Sequence, residues 1–96
     1  MSDLAAFLTA RLDEDYRAAR AITAFDNLLA DESGVHLTSA RALREVEAKR
    51  KILAAYEATL PLAGKPDEPE WHIARRTALE HACTLLASAY DPAWNA

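Results

Sequence analysis

Apolar residues return every three, four or seven positions along most of the chain, the spacing of one face of an α-helix. Leu8, Leu12, Ala19, Ile22 and Leu29 share such a stripe, and neither proline nor glycine interrupts residues 3–31. A first helix is therefore predicted over 3–31, with Ser2 as its N-cap and Asp31–Glu32–Ser33–Gly34 as its stop. Gly34 suits the left-handed residue that closes many helices. Helix propensity dips at Ile22–Thr23 and again at Asp26–Asn27. A kink or break near 22–27, giving a fourth short helix, is left open.

A second helix is predicted over 39–60. Thr38 or Ser39 caps it, and Pro61 ends it by disfavouring helical backbone at the preceding residue. Its seam is Leu43, Val46, Leu53, Tyr56 and Leu60, supported on the outer face by Glu45–Lys49 and Glu47–Lys51 pairs. A third helix is predicted over 68–89, with Asp67 as N-cap, Pro69 in the first turn and Glu70 completing a capping box. Trp71, Ala78, Leu79, Ala82, Leu85, Leu86 and Ala89 form its seam, and Asp91–Pro92 turns the chain into a tail, 91–96. Strand-like alternation is missing throughout.

Short connections favour antiparallel neighbours. The fold expected is all-α, a three-helix antiparallel bundle forming a single domain over 1–96. The first helix spans about 42 Å against about 33 and 30 Å for the others. Its surplus length either folds over or pairs with a second subunit, so a homodimer is expected.

Composition narrows the class further. Of 96 residues 51% are apolar and 27% charged, with two glycines and four prolines, which excludes disorder and low-complexity sequence. A single cysteine excludes an internal disulfide framework and fits a reducing compartment. No apolar run approaches the roughly 20 residues of a membrane helix, and the N-terminus lacks a basic and hydrophobic leader. A soluble, cytoplasmic protein with no membrane partner is expected.

The net charge of −4 is unevenly spread. Residues 36–60 carry five bases against three acids, whereas residues 1–35 carry seven acids against three bases. Arg41, Arg44, Lys49, Arg50 and Lys51 make a basic strip on the second helix, and Asp13–Glu14–Asp15 an acidic knot on the first. An antiparallel hairpin lets the two meet. Overall acidity, and glutamates interleaved with the bases, argue against nucleic acid as the partner of that strip.

Catalytic and metal chemistry find little support. Asp13, Glu14 and Asp15 point about 100° apart on a helix and do not converge, and no Glu-x-x-His motif accompanies them. His72, His81 and Cys83 diverge on the third helix, and His36 lies elsewhere, so Cys83 reads as a small buried apolar residue. Thr38, Ser39, Thr84 and Ser88 lack a histidine at usable spacing, and no glycine-rich phosphate loop occurs. No catalytic residue, cofactor or metal is expected. Tryptophan serves both as core filler and as interface anchor. Trp71 reads first as core, while for Trp94 packing back and partner contact stand equal. Trp94, Tyr90, Trp71, Arg44, Arg50 and Lys51 are the candidate partner-binding residues.

Three stretches resemble a family of short actinobacterial and actinobacteriophage proteins of unknown function. Ala6–Phe7–Leu8–Thr9–Ala10–Arg11–Leu12–Asp13–Glu14–Asp15, with Arg17–Ala18–Ala19–Arg20, is similar to that family's opening. Arg41–Ala42–Leu43–Arg44–Glu45–Val46–Glu47–Ala48–Lys49–Arg50–Lys51–Ile52–Leu53 resembles its central block, and His36–Leu37 the pair before it. Leu85–Leu86–Ala87–Ser88–Ala89–Tyr90, then Asp91–Pro92–Ala93–Trp94, is similar to its close. The resemblance implies an actinobacterial or phage origin and a cytoplasmic setting, and supplies no mechanism. Ile22–Thr23–Ala24–Phe25 stands where many members have a Gly-Pro-Trp segment, and a cysteine pair before the close is missing. The function expected is a non-enzymatic, self-associating protein-interaction module, with a host protein as partner if it is phage-encoded. The alternative is a nucleic-acid-associated regulator using Arg41, Arg44, Arg50 and Lys51.

Overall fold

A computed structural model describes the backbone of residues 2–29 and 33–94, with side chains outside 22–39. Three helices and two short 3-10 turns follow one another: α1 (Asp3–Leu29), α2 (Ser33–Glu57), a turn at Leu60–Leu62, α3 (Glu70–Ser88), and a turn at Pro92–Trp94. The described residues hold no strand, and the fold is an all-α three-helix bundle. None of the described helices is long and apolar enough to cross a membrane.

Ser2 caps α1 as expected: its Oγ accepts the Ala5 N–H at 3.2 Å. The same oxygen lies 3.3 Å from the Tyr56 hydroxyl, tying the start of α1 to the end of α2. α1 runs unbroken through 22–27. Residues of middling propensity there cost only tenths of a kcal/mol each, up to about 0.7, and nothing in the stretch removes a backbone donor.

Both expected boundaries of α2 move. α2 starts at Ser33, not after Thr38, so Gly34 lies inside its first turn rather than closing α1. No proline forbids helix between Leu29 and Thr38, and one glycine costs only about 1 kcal/mol relative to alanine. At its other end α2 stops at Glu57 rather than Leu60. There the buried Thr59 donates its hydroxyl to the Tyr56 carbonyl at 2.6 Å, and Pro61 continues as a 3-10 turn.

α3 begins at Glu70 behind Pro69, whose φ of −69° and ψ of 156° are extended. Asp67 is therefore not the N-cap, and no side chain caps the helix. A proline pushes the residue before it away from helical backbone, so Glu68 is excluded from the helix and freed for another role. Gly64 supplies the connector's one left-handed residue among those described, with φ +74°.

The core joins Leu4, Ala5, Leu8 and Leu12 of α1 to Leu53 and Tyr56 of α2 and to Cys83 and Ala87 of α3. Ala19 and Val46 are buried outside that cluster. The three-helix core thus ends near Asp15 and Lys49, and α1 and α2 continue as a two-helix arm. The molecule measures 57 × 24 × 18 Å with a radius of gyration of 16.8 Å. A compact domain of this length would have about 12–13 Å, so the arm dominates the shape.

Candidate functional site

Where the core gives way to the arm, the acidic knot and the basic strip meet. Arg50 donates from Nη2 to Asp13 Oδ1 at 2.8 Å, and its guanidinium lies 4.7 Å from the centre of the Tyr16 ring. The Tyr90 hydroxyl donates to Asp15, and Lys49 Nζ sits 5.8 Å from the Tyr90 ring centre. Burial first, and the bond to Asp15 second, push the Tyr90 phenol up to about 12. Arg41 pairs with Glu45 at 3.4 Å on the exposed face of α2. Of the five bases of the strip, Lys49 and Arg50 are thus engaged with other elements of the fold, while Arg41 makes only a surface pair within α2. Arg44 and Lys51 are exposed and have no ion-pair partner among the described residues.

A second polar cluster closes the connector onto α3. Glu68, whose side chain is only 2% exposed, accepts from Arg76 Nε and Nη2, both at 2.9 Å. It also takes the Gly64 N–H at 3.0 Å and lies 2.6 Å from His72 Nδ1. Hydrogen bonding from Arg76, with His72 and Gly64 adding, holds the Glu68 carboxyl at about 2 against the opposing effect of burial. The same bonds raise the Arg76 guanidinium.

Neither cluster presents a nucleophile next to a base. Cys83 is fully buried, and burial, with Glu57 second, raises its thiol away from the reactive thiolate. His81 is exposed and His72 buried, and no three metal-ligating side chains converge among the described residues. A groove of about 380 Å³ lies between the start of α1 and the end of α2, lined by Ser2, Ala5, Ala6, Thr9, Glu57 and Leu60. Its lining is mostly methyl groups with a single carboxylate.

The remaining feature is the outward face of α3. At 100° per residue, Trp71, Ala74, Ala78, Ala82, Leu85 and Ala89 share one arc of about 80°. His72, Leu79, Cys83, Leu86 and Ala87 share another, about 130° round the helix, and it is this second arc that faces the bundle. Trp71 is 67% exposed and Leu85 56%. The seam expected from periodicity is therefore largely the solvent face, and Trp71 is not core. Both arcs are apolar, so spacing alone does not choose between them. The Glu68 clamp does, by holding His72 and Arg76 toward the connector.

Trp94 packs back onto α1, its ring centre 5.4 Å from that of Phe7 with the planes tilted by 44°. The Arg11 guanidinium covers the same Phe7 ring at 5.7 Å. Trp94→Ala should lower stability by about 1–2 kcal/mol, read by urea unfolding with the helical signal retained. An unchanged midpoint would mean the ring contact contributes nothing to the fold.

Residues 1–92 match a family of unknown function, DUF6221. The chain belongs to that family. No curated protein matches it, and neither does any solved structure. The DUF6221 span takes in all three helices, both polar clusters and the whole outward face of α3, and stops before Trp94. Of the six candidate residues in this DUF6221 chain, Tyr90 and Arg50 lie in the belt between core and arm, and Trp94 on Phe7. Trp71, Arg44 and Lys51 are exposed, the first on α3 and the others on α2. Glu68 and Ala74 escaped sequence reasoning, as did the Tyr90–Asp15 bond. Glu68 carried a signal in its spacing to His72, four residues on, and Ala74 in its place between Trp71 and Ala78.

Proposed function

We propose that this DUF6221 protein is a non-enzymatic, self-associating helical module that acts by binding another protein. The observation carrying this reading is the unpartnered apolar arc of α3, with Trp71 and Leu85 more than half exposed. Exposed tryptophan on a rigid helix is the kind of anchor that dominates protein interfaces. The resemblance to actinobacteriophage proteins makes modulation of a host protein the form this role takes in a phage, in the host cytoplasm.

The alternative, a nucleic-acid-associated regulator, loses much of its footing. Arg50 and Arg41 are paired with carboxylates and Lys49 lies against Tyr90, leaving Arg44 and Lys51 as the strip's unpaired cations among the described residues. With Arg41 held only by a surface pair, two or three phosphate contacts give weak, salt-dependent binding.

The test compares the wild-type chain with a Trp71→Glu/Leu85→Glu double variant as immobilised bait for host lysate. Expected is a protein retained by the wild type and lost by the variant, with equal helical content in both. Identical retention by the two baits would overturn the reading. Retention of duplex DNA at low salt, abolished by Arg44→Glu/Lys51→Glu, would establish the alternative instead.

A further inference from the structure

The groove between the start of α1 and the end of α2 differs from the outward face of α3 in its charge. Ser2, Ala5, Ala6 and Thr9 form one wall, spaced as a single helix face, and Glu57 and Leu60 form the other. Its volume of about 380 Å³ falls at the small end of ligand-sized cavities, roughly 300–1,000 Å³.

The hydroxyls of the lining are largely taken up by the fold. Thr9 donates its proton to the Ala5 carbonyl at 2.8 Å, which leaves Oγ1 as an acceptor only. Ser2 Oγ is shared between the Ala5 N–H at 3.2 Å and the Tyr56 hydroxyl at 3.3 Å. Glu57 is exposed and has no ion-pair partner among the described residues. Around it, residues 2–10 and 52–64 carry two charged side chains, Asp3 and Glu57, and both are acidic. Arg76, the cation that α3 brings toward Tyr56, is already bound by both oxygens of Glu68. An apolar trough with a free carboxylate and no cation of its own suits an occupant with an aliphatic stem and a positive end.

We propose that this groove takes a lysine side chain of a protein partner. The stem lies over the methyl groups of Ala5, Ala6 and Leu60, and the ammonium reaches Glu57 and Thr9 Oγ1. Long basic side chains bury their stems in this way while the charged head stays at the solvent edge. Lysine fits better than arginine because one carboxylate and one hydroxyl satisfy most of a compact ammonium's three donors. A guanidinium holds five donors in a fixed fork and would leave several unmatched. The inference rests on the interaction-module reading and adds to it a second point of contact, away from the α3 arc.

The probe is Nα-acetyl-lysine N-methylamide, titrated into the isotope-labelled full chain and followed by amide chemical shifts. Expected is saturable movement at Ala5, Ala6, Thr9 and Glu57, with a Kd on the order of 1–10 mM for a single anchoring side chain. The norleucine analogue keeps the stem but lacks the ammonium, and should bind about fivefold more weakly. Glu57→Gln should bring the two probes level, and Ala6→Leu should fill the trough and abolish both. Each variant changes an exposed residue, so circular dichroism should show wild-type helical content. Equal shifts from both probes on the wild type, or lysine shifts that survive Glu57→Gln, would overturn the proposal. An arginine probe binding as tightly as lysine, or pentylamine binding more tightly than either, would overturn it in favour of a guanidinium or a free amine. The lysate comparison reads α3 alone: a protein lost from the Trp71→Glu/Leu85→Glu bait leaves the module reading standing even where no lysine probe binds.

Discussion

Leu8→Ala is expected to cost about 3 kcal/mol and to lower Tm by roughly 15 °C. Leu8 is 0% exposed and sits where α1 meets both other helices, with Leu12 one turn on at 1%. Removing its branched end leaves a cavity that alanine neighbours fill poorly, since Ala5 and Ala87 have no flexible side chains to move into it. A domain of this size has total stability of about 5–10 kcal/mol, so the loss is a large share of the whole. The same truncation at Leu85, on the solvent arc, should leave a dilute monomer's Tm nearly unchanged. Thermal unfolding monitored by circular dichroism separates the two. Equal shifts at Leu8 and Leu85 would contradict the assignment of inner and outer faces of α3.

The second large effect concerns Glu68. Its folded carboxyl sits at about 2, below the ordinary value of 4.5. A depressed carboxyl stabilises the fold fully above its unfolded value, and that stabilisation fades as pH falls through the window from 4.5 to 2. Wild-type Tm should therefore drop across that window, beyond whatever other carboxylates contribute. Glu68→Gln should melt several degrees lower at neutral pH, because its amide cannot accept from Arg76 and His72 together. Its acid limb should be flatter, so that the two proteins converge toward pH 2. Parallel curves, offset equally at every pH, would show that the carboxylate's charge is not what holds the connector.

The polar belt near the arm shows how far charge pattern alone reaches. Opposite runs at 13–15 and 49–51 were enough to expect contact across an antiparallel hairpin, and Arg50 does pair with Asp13. That Tyr90 would join them, donating to Asp15 across 75 positions, had no local signal. Such half-exposed pairs contribute little stability individually. They set the register of α3's end against the hairpin instead.

Helix class, the Ser2 cap and the α1 stripe through Leu8, Leu12 and Ala19 followed from residue order, because periodicity and backbone hydrogen bonding are local properties. The all-α bundle did as well, since three amphipathic segments on short connections have few other ways to bury their faces. The start of α2 and the rotation of α3 did not. One glycine is too small a cost to stop a helix on its own. A helix with two apolar arcs fits its bundle by either until a long-range contact chooses. That choice belongs to tertiary structure: Glu68, left outside the helix by Pro69, gathers Gly64, His72 and Arg76, and so turns Cys83 inward and Trp71 out.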